Sequence, residues 1–202
     1  MKPIIGIACI SNDKNAIGTN SGQLIYEINH DMKHFKNMTT TTKDENKKNA
    51  VIMGRKTYES MQKPLPNRMN YVITHDYSIQ SEHDNLLYYN NILSCVMDIQ
   101  SNDIIESIYV IGGAIIYQFF FDYQLYDELI LSYVHNNKTY SDIAKDEVIL
   151  FPSINFKQYY IHKTSELINV YDKKSEQNQL YSIYFLKKYD HSCQHFINSL
   201  SI

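Results

Sequence analysis

Short apolar runs, each bounded by turn-forming residues, recur along the chain and alternate with segments of helical spacing. Five runs rich in β-branched and apolar residues are typical of buried strands: PIIGIACI (3–10), AVIMG (50–54), MNYVIT (69–74), IYVIGG (108–113) and ELILSYV (128–134). Helix-like spacing marks the segments between them: NHDMKHFKNM (29–38), YESM (58–61) and AIIYQFFF (114–121). This alternation predicts an α/β fold with a mostly parallel central sheet flanked by helices.

The ends of the elements and the C-terminal part of the chain carry further signals. Asn29 is predicted to cap the N-terminus of the first helix. The segments 158–167 and 180–189 predict an antiparallel hairpin that closes one edge of the sheet, joined by a polar loop over 169–179. The threonine-rich run Thr39 to Asn49 is predicted to be an exposed loop. We expect a single domain over residues 1–190 and a tail over 191–202.

Composition and charge narrow the class of protein. The 202-residue chain has 44% hydrophobic residues and a net charge of −3, which indicate a globular protein without attraction to nucleic acid or an anionic membrane. Its longest apolar run, at about 14 residues, is shorter than the roughly 20 that span a bilayer. Neither a secretory leader nor a metal-ligand spacing of cysteine or histidine is visible. We therefore expect a cytoplasmic protein whose three cysteines are reduced, with no bound metal.

Two glycine-containing junctions between strand and helix are candidate phosphate sites. In VIMGRKTYES (51–60) an apolar strand ends at Gly54, and two cations and a hydroxyl follow at once. Free N–H groups at a helix start favour anions, and an arginine fork suits phosphate oxygens. A second strand ends in Gly112 and Gly113 before another helix. Each junction alone could be only a turn, but the pair together suggests a bound dinucleotide. The Rossmann and P-loop fingerprints do not occur.

Two charged residues are candidates for contact with a small molecule. Asp31 shares the apolar helix face of Ile28, Phe35 and Met38, where an unpaired carboxylate is costly. It is either a helix-start acid partly in water or an acid in an apolar pocket that awaits a donor-rich ligand. Arg68 ends the stiff turn PLPNR (64–68) and is either a surface charge or a clamp for a carboxylate.

The order and spacing of these segments resemble those of the dihydrofolate reductase family. The matching residues touch most of the first 150 positions: Ile17 and Gly18, GQL (22–24), DMKHFK (31–36), VIMGRKTYES (51–60), PLPNR (64–68), IYVIGGAIIY (108–117) and FP (151–152). Five of the six glycines and three of the four prolines fall inside these segments. The C-terminal quarter matches only in its hairpin pattern.

The resemblance implies a folate site around Asp31. This acid would accept paired hydrogen bonds from the pterin, Ser132 would hydrogen-bond the acid, and Tyr26 stands where the family usually has a tryptophan that helps hold a water. The remaining implied substrate contacts are the strand-side residues Ile7 and Cys9, the ring-packing residues Met32 and Phe35, Met61 and Leu65 against the aminobenzoyl ring, Arg68 on the glutamate carboxylate, and Ile111 and Tyr117.

The resemblance also implies NADPH as the cofactor and hydride donor. The implied cofactor contacts are Cys9, Ile17, Gly18, Gly54, Arg55, Lys56, Thr57, Thr74, His75, Gly112, Gly113, Ala114 and Ile115. Closure of the loop over 16–24 would exclude water during hydride transfer to C6 of the pterin and protonation at N5. Ala114 replaces a frequent third glycine, and Ile115 stands where some members have an arginine near the 2′-phosphate.

The activity implied is reduction of dihydrofolate to tetrahydrofolate, in support of one-carbon metabolism and thymidylate synthesis, by a monomer that antifolates inhibit. Two other hypotheses stay open. A pterin or pyrimidine reductase on the same fold would have no glutamate tail for Arg68 to bind. A non-catalytic folate- or NADPH-binding protein is suggested by Tyr26 and by the altered loop segment EVILFP (147–152).

Overall fold

The computed structural model describes residues 1–76, 78–135 and 147–189. Its strands and helices follow in this order: β1 (Ile4–Ser11), β2 (Ala16–Thr19), α1 (Asn29–Thr40), β3 (Lys48–Gly54), α2 (Arg55–Met61), β4 (Arg68–Ile73), β5 (Leu86–Tyr89), α3 (Ile92–Ser101), β6 (Ile105–Gly112), α4 (Ala114–Asp122), β7 (Glu128–Val134), β8 (Val148–Leu150), β9 (Tyr159–Thr164), β10 (Ile168–Asp172) and β11 (Gln177–Lys188).

The main sheet has the strand order β10-β11-β7-β1-β6-β3-β4-β5, with β9 also paired to β11. Neighbours from β7 to β5 pair in parallel, whereas β11 runs antiparallel to β7, β9 and β10. The prediction of a mostly parallel sheet closed at one edge by an antiparallel hairpin is therefore confirmed. A separate two-stranded pair joins β2 to β8.

Alternate side chains of the sheet contribute to two hydrophobic clusters on its two faces. In β1, Ile5 and Ile7 belong to the cluster that packs with α1 and α2, whereas Ile4 and Ile10 belong to the cluster that contains buried residues of α3 and α4. This alternation places every second residue of β1, β6, β7 and β11 on the α1 face. Tyr26, Ile28 and Tyr181 belong to the cluster on that face.

Two predictions about α1 and the run that follows it are wrong. The helix begins one residue earlier than predicted, with Ile28 as the cap and no capping side chain, and Asn29 is its first residue. Thr39 is in the last turn of α1 and is fully buried, and Asn49 is buried in β3. Only the middle of the predicted loop is loop, because the two ends complete a helix and a strand.

The predicted C-terminal hairpin has different bounds. Residues 169–172, which the sequence assigns to a loop, belong to β10, and the β10–β11 turn is short because Asp172 pairs with Gln177. The first predicted strand, β9, pairs with a later part of β11. The element α3 carries buried apolar residues at 95, 96 and 99 and a side-chain cap from Asn91, although the sequence analysis did not assign it. The predicted tail, 191–202, lies outside the described residues.

Cys9 and Cys95 are free thiols in the structure, and Cys193 lies outside the described residues. Within the described part of the chain, no group of three or more His, Cys, Asp or Glu side chains is placed to hold a metal ion. Nor does that part contain a helix both long and apolar enough to cross a membrane.

Candidate active site

Asp31 lies in the first turn of α1, half-buried against the sheet, and one of its oxygens is held by a tyrosine. The hydroxyl of Tyr181 lies 2.8 Å from Oδ1 of Asp31 and 2.8 Å from Oγ of Ser132. A phenol has one proton and an ionised carboxylate only accepts, so Tyr181 donates to Asp31 and accepts from Ser132. The predicted contact of Ser132 with the acid is therefore indirect, because the Tyr181 hydroxyl occupies the position next to the carboxylate.

A small cleft opens beside this carboxylate. Its lining residues are Cys9, Ile17, Leu24, Tyr26, Ile28, Asp31 and Met32. Burial, and next the negative charge of Asp31, raise the pKa of the Cys9 thiol, which stays protonated at neutral pH. Burial raises the pKa of the Tyr26 phenol in the same way. The Tyr26 hydroxyl is buried without a hydrogen-bond partner in the described structure, so it is a free donor for a ligand or a water.

Arg68 is not a surface charge. Its side chain is only 3% exposed, and burial lowers the pKa of its guanidinium. Nε donates to the carbonyl of Pro66 at 3.0 Å, and a terminal nitrogen donates to Oγ1 of Thr39 at 2.7 Å. The guanidinium carbon also lies 5.8 Å from the ring centre of Phe35. No carboxylate pairs with Arg68 within residues 1–76, 78–135 and 147–189.

The turn that carries Arg68 is held by two amide side chains. Asn70 accepts from the N–H of Leu65 and donates to its carbonyl, both at 2.9 Å. Asn85 donates to the carbonyls of Leu65 and Arg68. Asn67 takes a positive φ of 61°, which asparagine tolerates. Four amide contacts therefore fix the backbone on both sides of the guanidinium.

The two glycine junctions lie side by side at the carboxyl ends of β3 and β6. A Cβ on Gly54 would lie 3.3 Å from Ile116 and 3.9 Å from the backbone nitrogen of Gly113. A Cβ on Gly113 would lie 3.5 Å from the hydroxyl oxygen of Thr57. Gly112 has a φ of +113°, and a Cβ there would lie 3.0 Å from the ring of Tyr117. The two turns thus form one glycine cradle, in which Gly54 and Gly113 are partly exposed and Gly112 is buried.

Arg55 and Lys56, the cations next to this cradle, are exposed, and Arg55 is near two carboxylates. Arg55 pairs with Glu59 at 3.4 Å on the surface of α2. Hydrogen bonds from Ser78 lower the pKa of Asp76, and the charge of Arg55 contributes less to the same shift. Thr74 is buried at the end of β4, and its hydroxyl accepts from the N–H of Asp76 at 3.1 Å. The carboxyl ends of β3 and β4 thus supply cations and a hydroxyl beside the cradle.

The loop over 16–24 is anchored by backbone pairing. Ala16, Gly18 and Thr19 pair with β8, and the N–H of Asn20 donates to the carbonyl of Glu147 at 2.9 Å. A Cβ on Gly18 would lie 2.8 Å from the carbonyl oxygen of Gln23, so only glycine allows this close approach. The altered segment EVILFP thus contacts the loop through its main chain.

Asp172 is a fully buried acid that the sequence analysis missed. Its Oδ1 accepts from the N–H of Glu27 at 2.8 Å, and its Oδ2 accepts from the hydroxyl of Ser175 at 2.7 Å. Nζ of Lys174, in the same turn, donates to the carbonyl of Leu24. The β10–β11 turn is therefore attached to the segment that enters α1 and carries Tyr26.

The site residues predicted from the sequence differ in exposure. Buried members are Ile7, Gly18, Tyr26, Arg68, Thr74, Gly112, Tyr117 and Ser132; half-buried members are Cys9, Ile17, Asp31, Phe35, Gly54, Thr57, Met61, Leu65, Ile111, Gly113 and Ala114; exposed members are Met32, Arg55, Lys56, His75 and Ile115. The hydroxyl of Tyr117 donates to the carbonyl of Ile7 at 2.7 Å and so connects α4 to strand β1.

The fold and site define a class of α/β protein in which a small-molecule cleft and a glycine-lined cradle share the carboxyl edge of a parallel sheet, the edge where such sheets bind ligands. The family model described as dihydrofolate reductase matches residues 4–187. The chain belongs to the dihydrofolate reductase family.

Individual relatives agree with this assignment. The chain is 41% identical over 123 residues to dihydrofolate reductase of Saccharomyces cerevisiae, an alignment that covers 57% of this chain and 58% of the yeast protein. It is 31% identical over 155 residues to dihydrofolate reductase of Candida albicans, with 75% of this chain and 78% of that protein covered. The fold is similar to that of Enterococcus faecalis dihydrofolate reductase complexed with NADP(H) and RAB-propyl, with a TM-score of 0.71 at 19% identity and coverage of 93% and 97%.

Proposed function

We propose that the chain catalyses the NADPH-dependent reduction of 7,8-dihydrofolate to 5,6,7,8-tetrahydrofolate. The observation that carries this proposal is the placement of two groups along α1. Asp31 lies in its first turn, and Arg68 is bound to Thr39 in its last turn. Asp31 and Thr39 are eight residue steps apart on the helix, a rise of about 12 Å. A ligand with a donor-rich ring at one end and a carboxylate at the other fits both groups.

Asp31 anchors the pterin in this proposal. Its carboxylate accepts paired hydrogen bonds from the amino group and the adjacent ring nitrogen, and it has lone pairs left to do so after the bond from Tyr181. Met32 and Phe35 on α1 pack on the ring, with Ile7, Cys9 and Ile111 on the sheet side. Met61 and Leu65 contact the aminobenzoyl group.

Arg68 binds the α-carboxylate of the glutamate tail. Three of its five N–H groups remain after the bonds to Pro66 and Thr39, and two can meet a carboxylate in parallel. This buried cation without a carboxylate among the described residues favours a tailed folate over a tailless pterin or a pyrimidine.

The glycine cradle is suited to the pyrophosphate of a dinucleotide. Gly54 and Gly113 let the two turns approach each other closely, and the hydroxyl oxygen of Thr57 lies 3.5 Å from the Cβ position of Gly113. Ile17, Gly18 and Ala114 would line the same groove, with Ile115 at its exposed rim. Arg55, Lys56, Thr74 and His75 would meet the 2′-phosphate, which makes NADPH the expected cofactor.

Bound NADPH would supply the hydride, so the protein contributes the positioning of the reactants, the electric field around them and the exclusion of water. Closure of the loop over 16–24 covers the cleft. The unpaired hydroxyl of Tyr26 can hold the water through which a proton reaches N5 under the influence of Asp31. We further propose a monomer located in the cytoplasm, which light scattering and cell fractionation test.

The experiment is a measurement of NADPH oxidation by the purified chain with and without dihydrofolate. Oxidation that depends on dihydrofolate and yields tetrahydrofolate supports the proposal. Tight binding of both ligands without turnover would instead identify a non-catalytic binding protein. Turnover of a tailless pterin with no gain from the glutamate tail would favour a pterin reductase.

A further inference from the structure

Tyr181 is a fully buried residue of β11 whose polar end points into the candidate site. Its ring belongs to the hydrophobic cluster on the α1 face, and the ring of His30 stands edge-on to it at a centroid distance of 5.5 Å. A phenylalanine would satisfy the same packing. The hydroxyl is therefore the part of Tyr181 that needs an explanation.

Both partners of this hydroxyl are site residues. It lies 2.8 Å from the Asp31 carboxylate and 2.8 Å from the Ser132 hydroxyl, and the latter completes a chain of donation from Ser132 through Tyr181 to Asp31. Burial, and next the charge of Asp31, raise the pKa of the Tyr181 phenol. The phenol thus stays protonated and remains a donor at neutral pH.

Apart from Tyr181, Asp31 has the protonated thiol of Cys9 as a side-chain donor, and a thiol is a weak one. Asp31 lies in the first turn of a helix that has no capping side chain, and no salt bridge of the described residues includes it. An aspartate with one free χ1 and a broad χ2 can turn its carboxylate away from the cleft. A donor 150 residues later in the chain, on the rigid sheet, restricts that rotation.

We propose that Tyr181 is a positioning residue for the reaction, one that fixes the Asp31 carboxylate through its hydroxyl so that the other lone pairs of the carboxylate face the substrate. The inference rests on the proposed function, in which Asp31 binds the pterin. Ser132 orients the tyrosine hydroxyl and acts on Asp31 through it.

The test uses Tyr181→Phe, which keeps the ring, in the full chain. Tyr184→Phe is the matched control, because Tyr184 lies on the same strand but packs against Tyr133 in the cluster on the opposite face of the sheet. Two ligands are titrated by fluorescence: a 2,4-diaminopyrimidine, whose donor edge needs the carboxylate, and NADPH, which does not. The kcat/KM for dihydrofolate is also measured for Tyr181→Phe, Asp31→Asn and the double variant.

Loss of a hydrogen bond to a charged group predicts about tenfold weaker diaminopyrimidine binding and about tenfold lower kcat/KM in Tyr181→Phe, with NADPH affinity unchanged. In the Asp31→Asn background the same substitution should change kcat/KM by about twofold or less, because the carboxylate it acts on is gone. Tyr184→Phe should match the wild type.

Three results would overturn the inference: no loss in Tyr181→Phe, equal losses for both ligands, or the same loss in the Asp31→Asn background. A wild type that binds the diaminopyrimidine but does not reduce dihydrofolate contradicts the proposed function alone, and the binding comparison then still decides the role of Tyr181. A wild type that does not bind the diaminopyrimidine overturns both.

Discussion

Replacement of Arg68 by leucine should separate the stability of the fold from the binding of substrate. The guanidinium is 3% exposed and has a carbonyl and a hydroxyl as partners, but no carboxylate among the described residues. Its burial is therefore a cost in the free protein. Thr39 keeps its own bond to the carbonyl of Phe35 at 2.7 Å in the variant. We expect the free energy of unfolding to change by about 1 kcal/mol or less, or to rise.

Substrate binding should respond in the opposite direction. Loss of one partner of a buried charge pair costs about 2 to 4 kcal/mol, which is roughly 30-fold to several hundredfold in the KM for dihydrofolate. A tailless dihydropterin makes no such pair, so its KM should change little. Arg68→Lys keeps the positive charge but not the forked pair of N–H donors, so its KM for dihydrofolate should lie between those of the wild type and Arg68→Leu.

Two measurements test these expectations on the wild type, Arg68→Leu and Arg68→Lys. They are steady-state kinetics with the tailed and tailless substrates, and thermal unfolding. Equal losses of kcat/KM for both substrates would refute the assignment of Arg68 to the glutamate tail. A large drop in unfolding temperature in Arg68→Leu, with binding of dihydrofolate preserved, would refute the reasoning about burial as well.

Three further predictions concern the cofactor, the C-terminal turn and pH. Arg55→Ala should raise the KM for NADPH by about tenfold or more and that for NADH far less, since a charge-assisted phosphate contact is worth roughly 1.5 to 3 kcal/mol. Equal losses for the two cofactors would mean that Arg55 serves the shared pyrophosphate or the fold. Asp172→Ala should lower the free energy of unfolding by about 3 kcal/mol in chemical denaturation, because it removes the buried carboxylate that accepts from the N–H of Glu27 and the hydroxyl of Ser175. Asp172→Asn should cost less, and an unchanged stability in Asp172→Ala would contradict the role of the turn. Burial lowers the pKa of His34 from its usual 6.5, so protonation favours the unfolded chain, and stability should fall as the pH drops below about 6.5. His34→Gln should reduce that decline, and a decline of the same size in the variant would assign it to other groups.

Elements with strong local patterns could be predicted from the sequence. ELILSYV predicts β7 at its observed bounds, because the residues of this central strand are apolar apart from Glu128 and Ser132. The two glycine junctions were also placed where strands end and helices begin. The helix α3 has apolar residues at 92, 95, 96 and 99 and a capping Asn91, a local pattern that is sufficient to predict it.

Other features depend on contacts between distant segments. Tyr181 is one of 18 tyrosines, and only the pairing of β11 with β7 brings it to Asp31, 150 positions earlier. Thr39 lies in a run of four threonines, a pattern typical of a low-complexity loop. In the fold it is buried and in contact with Arg68, which lies 29 positions later. Asp172 lies in a polar segment whose acid has no local pattern to distinguish it from a solvated one. Such residues are selected by tertiary contacts that periodicity does not encode.

In the proposed function the carboxylate of Asp31 binds the pterin for reduction, and Asp31→Asn removes that carboxylate with little change in size. The measurement is kcat/KM for dihydrofolate across neutral pH, with the affinity for NADPH determined on the same protein. An amide is nearly the same size but cannot be an anionic acceptor, so we predict a folded protein that binds NADPH normally and loses most of its turnover. Near-normal turnover across neutral pH in Asp31→Asn would contradict the account.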